Sequence, residues 1–359
     1  MGQQQGEGYY SKATTGAKDV IDGAPPLILD ALDRMAPEDD GSVFTMSDMG
    51  CADGGTSIGM VARVLGEVRR RCPSRPIQIV YTDLPRNDFG QVFRNVYRLS
   101  DLKGYADEIP DLYVFASAAS FHSPILPPGA LNLGFSSTAT HYISAVPARI
   151  PNHVHMVRAE GAVREAFVEQ GRKDWESILL NRARELALGG RLCLFNFGID
   201  EKGRYLGHSG GVSMFDTYDA HWAALRDEGT ITEEEYLDTN FPQHFRTVAE
   251  FTAPLLDESG PVHAAGLRLE HVETRVVGCP YARDFAGHGD AAKFARDYIP
   301  TLRSWSEATF AKGLSPDRPE DERAAIIDRF YDAYETQVRE LPEGHGMDYV
   351  HCYLVIRKA

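Results

Sequence analysis

A short apolar segment that ends in an acid and a glycine turn constrains this fold more than any other feature. Residues 43–49 are rich in β-branched and apolar side chains, with Asp48 near the end and a turn beginning at Gly50. Residues 58–71 then carry apolar side chains at helical spacing. A strand, a glycine turn and a helix form the opening unit of a nucleotide-binding α/β sheet, because the helix N-terminus offers free N–H groups.

The spacing around this turn indicates which ligand it could hold. The glycines do not match the G-x-G-x-x-G pattern of nicotinamide-binding turns. An acid just before the first glycine also suits a cationic sulfonium cofactor better than a pyrophosphate. Asp83 follows the second predicted strand, where related folds hydrogen-bond a ribose diol. It lies further along the chain than the usual spacing of about 20 residues, which weakens the nicotinamide option. A turn without a ligand is the alternative.

The bulk composition excludes several classes of partner. The net charge of −15 argues against nucleic-acid binding, because neutralising phosphates needs a basic surface. The five cysteines are scattered without a C-x-x-C pair, which indicates reduced thiols and no zinc site. Neither a signal-type apolar region nor an 18-residue apolar run is visible. We therefore expect a cytoplasmic protein that acts on a small molecule, without a metal, nucleic-acid or membrane partner; a homodimer is left open.

Strand and helix patterns alternate along the chain. The predicted strands lie at residues 43–49, 77–81, 112–116, 131–135, 191–197, 267–277 and 349–356, and the predicted helices at 18–31, 58–71, 87–97, 160–188, 291–311 and 321–341. This alternation predicts a mostly parallel sheet with helices on both faces. Helices inserted at 200–260 and 280–320 would form a cap over the carboxyl edge of the sheet.

Four local sequence features predict a helix end, a solvated helix face and two candidate site segments. The long helix should end at Leu188, because Gly189 and Gly190 follow it. The acidic run at 233–235 is typical of a solvated helix face. Small hydroxylated residues followed by aromatic ones occupy residues 117–122 and 136–142, after the third and fourth strands. Ligands bind at the carboxyl ends of parallel strands, so both segments are candidates for the site.

Several motifs in their chain order resemble those of the SABATH methyltransferases. They are Tyr10-Ser11-Lys12, S-D-M-G-C at 47–51, T-D-L-P-R-N-D-F at 82–89, Ser120-Phe121, S-S-T-A-T-H-Y-I-S-A-V-P at 136–147, R-A-R-E-L at 182–186, G-G-R at 189–191 and N-F-P-Q at 240–243. This family contains the salicylate, benzoate, jasmonate and theobromine methyltransferases and microbial relatives. The similarity covers nearly the whole chain.

The resemblance implies a Rossmann-like class I methyltransferase sheet with helices on both faces and a helical cap. The cofactor would be S-adenosylmethionine (SAM), and the product S-adenosylhomocysteine. Residues 1–359 would form a single methyltransferase unit. Within it, 1–199 would be mainly the SAM-binding core with an N-terminal lid segment, 200–320 mainly the helical cap, and 321–359 the closing helix and strand of the core.

The resemblance also implies a set of cofactor-binding residues. The set is Tyr10, Asp48, Gly50, Cys51, Thr56, Asp83, Leu84, Ser120 and Phe121. Tyr10 would contact the methionine part of SAM, and Asp48 and Cys51 would line that part at the glycine turn. Asp83 would bind the ribose hydroxyls, with Leu84 packed on the adenine. Ser120 and Phe121 would bracket the adenine.

The acceptor side departs from the family pattern. Tyr142 stands where carboxylate-methylating members have tryptophan, Thr138 where they have tyrosine, and Ala17 where they have a glutamine that helps to hold the carboxylate. The acceptor residues implied are Thr138, His141, Tyr142, Met214, Phe215 and His244. For His244 a structural role is the alternative interpretation.

Three hypotheses about function follow. The first is methylation of a small apolar or aromatic acid; a carboxylate is ionised at pH 7 and needs no general base, so His141 and Tyr142 would only orient it. The second is methylation of a heteroaromatic nitrogen or a phenol, whose proton must leave, with His141 as the base. The third is a non-catalytic SAM-binding protein, because the carboxylate clamp is altered.

Overall fold

The computed structural model of the protein describes residues 15–359, without the side chain of Thr15. Tyr10, and with it the predicted contact to the methionine part of SAM, lies outside the described residues. None of the helices within 15–359 combines the length and the apolarity that crossing a membrane requires.

The described residues form one sheet of eight strands. They are β1 (Phe44–Met49), β2 (Ile77–Asp83), β3 (Leu112–Ala118), β4 (Leu131–Ser137), β5 (Leu186–Ile199), β6 (Arg246–Thr247), β7 (Leu267–Val277) and β8 (Tyr349–Lys358). The strand order is β3-β2-β1-β4-β5-β8-β7, and the short β6 pairs with β5. β1 to β5 run parallel, and β8 lies antiparallel between β5 and β7. The carboxyl ends of β1 to β5 therefore share one edge.

Helices connect these strands. They are α1 (Thr15–Asp22), α2 (Pro25–Met35), α3 (Ile58–Arg71), α4 (Phe89–Val96), α5 (Gly161–Glu185), α6 (Met214–Asp227), α7 (Glu233–Asp238), α8 (Val248–Leu256), α9 (Pro261–Ala264), α10 (Pro280–His288), α11 (Ala291–Gly313) and α12 (Glu320–Glu340). The predicted alternation is confirmed, and α3 and β7 have the predicted bounds. Pro25 opens α2, where a missing N–H costs nothing.

The prediction that the long helix ends at Leu188 is wrong. α5 ends at Glu185, and β5 begins at Leu186. The two glycines lie inside β5, at a bulge where its register with β4 shifts. A Cβ on Gly190 would come within 3.0 Å of the Asn132 carbonyl oxygen in β4, so this glycine permits close approach of two strands. The glycine pair thus marks an irregularity in the sheet. In the sequence alone it looks the same as a pair that ends a helix.

The acidic run in α7 is only partly solvated, as its last member is buried. Glu235 closes a capping box with Thr232 and pairs with Arg318 at 2.6 Å. The hydrogen bond from Arg318 lowers the pKa of Glu235 to about 2. The predicted solvated face therefore holds for Glu233 and Glu234 but is wrong for Glu235, which ties α7 to the segment after α11.

Helices beyond β5 pack together through aromatic rings. Tyr218 of α6 lies 5.3 Å from Phe310 of α11 and 5.9 Å from Phe330 of α12, measured between ring centroids. Phe215 of α6 packs on the Phe245 ring at 5.8 Å. Phe245 in turn contacts Phe197 near the carboxyl end of β5 at 5.9 Å. The helical layer thus covers the carboxyl edge of the sheet, and α12 packs within this layer.

Candidate active site

The turn after β1 is held against the end of β2. The N–H groups of Gly50 and Cys51 both donate to the Thr82 carbonyl, at 2.8 and 3.0 Å. Gly50 has a φ of +80°, and a Cβ there would lie 2.5 Å from that of Ala139. Both the backbone conformation and the approach of the segment after β4 therefore require glycine. This contact brings the glycine turn next to the predicted acceptor segment.

The D-L-P-R-N-D-F string fixes the same turn from the other side. One carboxylate oxygen of Asp83 accepts from the Ala52 N–H at 2.8 Å, and the other accepts from the Leu84 N–H at 2.7 Å. The Asn87 side chain donates to the Ala52 carbonyl at 2.7 Å. Asp88 caps α4. Asp83 is thus oriented at the end of β2, and each of its oxygens keeps a lone pair for a ligand hydroxyl.

Buried groups near this turn favour a cationic ligand. The Asp48 carboxylate accepts a hydrogen bond from Ser57, and burial raises its pKa to about 7, with the charge of Asp83 adding to the effect. Burial and both carboxylates raise the pKa of the Cys51 thiol, so it stays neutral. Thr56 is buried beside them, just before α3. A positive charge placed here would stabilise the ionised Asp48.

The loop after β3 is anchored by α5. Arg182 donates to the Phe121 carbonyl at 3.0 Å and to the Ser123 carbonyl at 2.8 Å. Its guanidinium also forms a bidentate pair with Glu185, and both side chains are fully buried. Glu185 in turn accepts from the Ile125 N–H at 2.7 Å. The R-A-R-E-L motif therefore positions the loop that carries Ser120 and Phe121.

A cleft lies between the ends of β4 and β5 and the helical layer. The empty space between its walls is about 460 Å³, and this figure includes the part that is open to solvent. The lining residues are Ala17, Thr138, His141, Tyr142, Phe197, Leu206, Gln243, Trp305, Met347 and Tyr349. Within residues 15–359, this lining includes no Asp, Glu, Lys or Arg. The cleft is therefore mostly apolar, with hydroxyl, amide and imidazole groups as its polar members.

Thr138 sits at the cleft in a strained backbone conformation. Its φ of +59° is unusual for a β-branched residue. Its N–H donates to the Phe195 carbonyl at 2.8 Å, and its hydroxyl lies 3.1 Å from Nε2 of His351. Burial lowers the pKa of His351 to about 3, so this partner is neutral. These bonds hold the turn after β4, and with it the following residues, at the cleft.

His141 is a buried, neutral ring in the cleft wall. It is 2% exposed, and its centroid lies 4.3 Å from that of Tyr142 and 4.9 Å from that of Phe197. Burial lowers its pKa well below the ordinary value. Its Nδ1 has no hydrogen-bond partner among the residues described. Tyr142 is 36% exposed, and desolvation raises the pKa of its hydroxyl against an opposing hydrogen bond from Gln243.

Three predicted acceptor residues do not line the cleft. Met214 and Phe215 are buried in α6, and Phe215 stacks on His155 with 3.8 Å between centroids. His244 is buried against Gly171 and lies 3.2 Å from a Glu250 oxygen, so the structural interpretation fits it. The cleft is lined in addition by residues that the sequence did not single out as acceptor residues: Phe197, Leu206, Gln243, Trp305, Met347 and Tyr349. Only Gln243 carried a signal, as the last residue of N-F-P-Q.

Metal-ligand geometry is absent from the described part of the chain. Within residues 15–359, no group of three or more His, Cys, Asp or Glu side chains could hold a metal ion. The five cysteines are buried and free.

Comparison with known families places this arrangement. The model of the SAM dependent carboxyl methyltransferase family matches residues 1–359. The chain belongs to this family. The methyltransferase therefore takes its methyl group from S-adenosylmethionine. The group of acids at the glycine turn suits a sulfonium and an ammonium better than a phosphate, so the residues present fit this cofactor. Membership in an enzyme family leaves the non-catalytic hypothesis without support.

Several curated proteins resemble this methyltransferase. A probable S-adenosylmethionine-dependent methyltransferase of Arabidopsis thaliana is 27% identical over 67% of this chain and 69% of that protein. Gibberellic acid methyltransferase 2 of Arabidopsis thaliana is 26% identical over 64% of this chain and 63% of that protein. A 3,7-dimethylxanthine N-methyltransferase of Camellia sinensis is 21% identical over 93% of this chain and 89% of that protein.

A solved structure shares the fold of the methyltransferase. Loganic acid methyltransferase with S-adenosylhomocysteine superposes with a TM-score of 0.72 at 18% identity, over 98% of this chain and 97% of that one. The predicted class I methyltransferase fold is thereby confirmed.

Proposed function

We propose that this methyltransferase converts the carboxylate of a small apolar or aromatic acid into its methyl ester. The cleft beside the cofactor turn carries the proposal. Among residues 15–359 its polar lining groups are neutral donors and acceptors, and the pKa of His141 is too low for an effective base near pH 7. Such a site suits an acceptor that arrives without a proton to remove, as a carboxylate does.

The residues of the glycine turn would hold the cofactor in this proposal. Asp83 would accept from the ribose hydroxyls through the lone pairs that its two backbone contacts leave free. Asp48 would face the cationic part of the cofactor, near Gly50, Cys51 and Thr56. For the adenine, half-exposed Leu84 and the anchored loop of Ser120 and Phe121 remain our assignment.

The chemistry proposed is a direct displacement. S-adenosylmethionine supplies an electrophilic methyl group on a positively charged sulfur. A carboxylate oxygen of the acceptor forms the bond to the methyl carbon as the carbon–sulfur bond breaks, and the electron pair of that bond stays on sulfur. The two opposite charges cancel and no proton moves. The protein then contributes alignment and removal of water, and orientation can supply up to about 7–11 kcal/mol.

Methylation of a ring nitrogen or a phenol is the second candidate. Similarity to the 3,7-dimethylxanthine N-methyltransferase over 93% of this chain favours it, because that relative spans most of the cleft residues. His141 would then accept the acceptor's proton through Nδ1, which has no partner within residues 15–359. Burial opposes this role, since it disfavours the protonated ring.

A panel of acceptors tests the proposal. The protein is incubated with SAM and separately with benzoate, phenylacetate, octanoate, phenol, 2-naphthol, benzimidazole or indazole, and products are identified by mass spectrometry. We expect methyl esters from at least one acid and much slower turnover of the phenols and azoles. Turnover of phenols or azoles with none of the acids would replace this proposal by the second candidate.

Three further proposals rest on the sequence. The first is a cytoplasmic location, and the second is a homodimer. The third is the division into a core at 1–199, a cap at 200–320 and a closing segment at 321–359. For the last, the packing of Phe330 in α12 against Tyr218 of the cap favours moving α12 into the cap.

A further inference from the structure

Tyr142 and Gln243 stand side by side in the cleft wall. They form an isolated antiparallel bridge between the segment after β4 and the N-F-P-Q segment. Backbone hydrogen bonds of 2.9 Å flank this bridge on both sides, so the two residues are a non-hydrogen-bonded pair. Side chains of such a pair project to the same face and lie close together. Both side chains line the acceptor cleft.

A buried histidine fixes the orientation of the Gln243 amide. The Val157 N–H donates to Nδ1 of His155 at 3.3 Å. Because a backbone N–H can only donate, Nδ1 must carry the lone pair and the ring proton lies on Nε2. Nε2 lies 3.1 Å from Oε1 of Gln243 and therefore donates to it. Stacking on Phe215 holds the His155 ring in place. Phe215, a predicted acceptor residue, would therefore act on the site indirectly.

The fixed amide turns its NH₂ group away from His155. Against the raising effect of burial, Gln243 lowers the pKa of the neighbouring Tyr142 hydroxyl, which is the direction expected when an amide N–H faces the phenol oxygen. The amide NH₂ of Gln243 and the O–H of Tyr142 are therefore two neighbouring donor groups on one wall of the cleft.

We infer that Gln243 binds the acceptor's carboxylate together with Tyr142, and that His155 is the positioning residue for its amide. The inference rests on the proposed carboxyl methylation. It accounts for the altered clamp, because Ala17, which lines the same cleft, lacks the amide that the family pattern has there. The amide donor is thus supplied from the N-F-P-Q segment.

Two substitutions of Gln243 test the inference in the full-length protein. Gln243→Leu removes the donor, and Gln243→Glu keeps the shape but places a second carboxylate opposite the acceptor. For the acid of the panel that the wild type methylates fastest, we expect kcat/KM to fall roughly 10- to 150-fold in Gln243→Leu, and further in Gln243→Glu. SAM affinity, measured by calorimetry, should stay within about twofold in both.

The role of His155 has its own readout. His155→Leu should raise KM for the acid with little change in SAM affinity, whereas His155→Gln, which can still donate to the Gln243 oxygen, should recover most of the activity. The control is His345→Leu, another buried histidine, which packs on Tyr334 in the cap. If His155 were only structural, His155→Leu would behave like His345→Leu, with activity falling in proportion to the loss of Tm. His155→Gln would then not restore activity.

The outcomes separate the two proposals. If an acid is methylated and both Gln243 variants match the wild type, the inference is overturned and the proposed function stands. If no acid of the panel is methylated while a phenol or azole is, the proposed function fails and the inference fails with it. Loss of activity on the acid with unchanged SAM binding supports both.

Discussion

The side chains that hold the glycine turn belong to a short, continuous sequence motif. Asp83, Asn87 and Asp88 interact with Ala52, Leu84 and the first turn of α4, over distances of 2.7–3.0 Å. Two of these four contacts are local in sequence, and the other two reach back to Ala52 in the glycine turn. The residues that make them stand in one continuous string, which is why the sequence showed it. The residues that line the cleft come from distant segments, and the sequence named only Thr138, His141 and Tyr142 among them as acceptor residues.

Asp83→Ala should abolish measurable SAM binding. The substitution removes the proposed ribose acceptor and the contacts to the Ala52 and Leu84 N–H groups. Calorimetry measures SAM affinity, and circular dichroism checks that the variant stays folded. Asp88→Ala is the matched control, which should cost about 1 kcal/mol of stability through loss of the α4 cap without changing SAM affinity. Near-wild-type affinity in the Asp83 variant would contradict the assignment.

Asp48 should make SAM binding depend on pH. Burial beside Asp83 and Cys51 raises its pKa from 3.8 to about 7. The folded, ligand-free protein then binds more protons than the unfolded chain between about pH 4 and 7, so this group lowers stability as pH rises through that window. The cationic cofactor favours the carboxylate, so SAM affinity should increase as pH rises through about 7.

The matched variant for this pH effect is Asp48→Asn, which keeps an oxygen for the Ser57 hydroxyl. Its SAM affinity should be weaker and nearly independent of pH. Calorimetric titrations between about pH 6 and pH 8 measure both proteins. A wild-type affinity that is flat across this interval would refute the link between Asp48 and the cofactor.

Tyr142→Phe should slow methylation of an acid and leave SAM affinity unchanged. Phenylalanine keeps the ring that packs on His141 and removes the donor hydroxyl. Losing one hydrogen bond to a charged group costs about 1.5–3 kcal/mol, so kcat/KM should fall roughly 10- to 150-fold. Full activity in this variant, together with inactive His141→Ala and a pH profile with one ionisation near neutrality, would favour the azole or phenol hypothesis.

Elements differ in how well their limits could be predicted. Helix α3 follows a regular apolar period and has the predicted ends. The junction of α5 and β5 does not lie where the sequence predicts it. Gly189 and Gly190 resemble the end of a helix, but they lie at a bulge where β5 pairs with β4. Only the partner strand distinguishes the two cases, and the local pattern carries no information about it. The same limit applies to Glu235, whose burial depends on Arg318.

Helix α5 should support cofactor binding through Arg182. Arg182→Met leaves the Glu185 charge buried without its partner, which should destabilise the protein by about 3–5 kcal/mol. The loop of Ser120 and Phe121 also loses its anchor, so SAM affinity should fall. Urea denaturation and calorimetry measure the two effects.

The control for this prediction is Arg184→Met, an exposed arginine on the same helix. It should change neither stability nor SAM affinity appreciably. The double variant with Glu185→Gln should recover part of the lost stability, since no uncompensated charge remains. An Arg182→Met protein as stable as the control would show that the buried pair does not organise this loop.

At the scale of the whole molecule, the architecture was predictable and the cleft was not. Alternating strands and helices specify the sheet and the position of its carboxyl edge. The cleft also needs Trp305 of α11 and Met347 before β8, which reach it from far along the chain. The local pattern of apolar residues cannot predict that these distant segments come together. The family pattern therefore supplied the proposed cofactor residues, whereas most of the cleft lining depends on how distant segments pack.

The chemical nature of the transferred methyl group tests the account most directly. The protein is given SAM with a labelled methyl group and the panel of acceptors, and the labelled product is treated with mild alkali. A methyl ester releases labelled methanol under these conditions, whereas N-methyl groups and aryl methyl ethers do not. We predict that the label appears as methanol. Label that stays on the product after alkali would contradict carboxyl methylation and assign the methyl group to nitrogen or to a phenol oxygen.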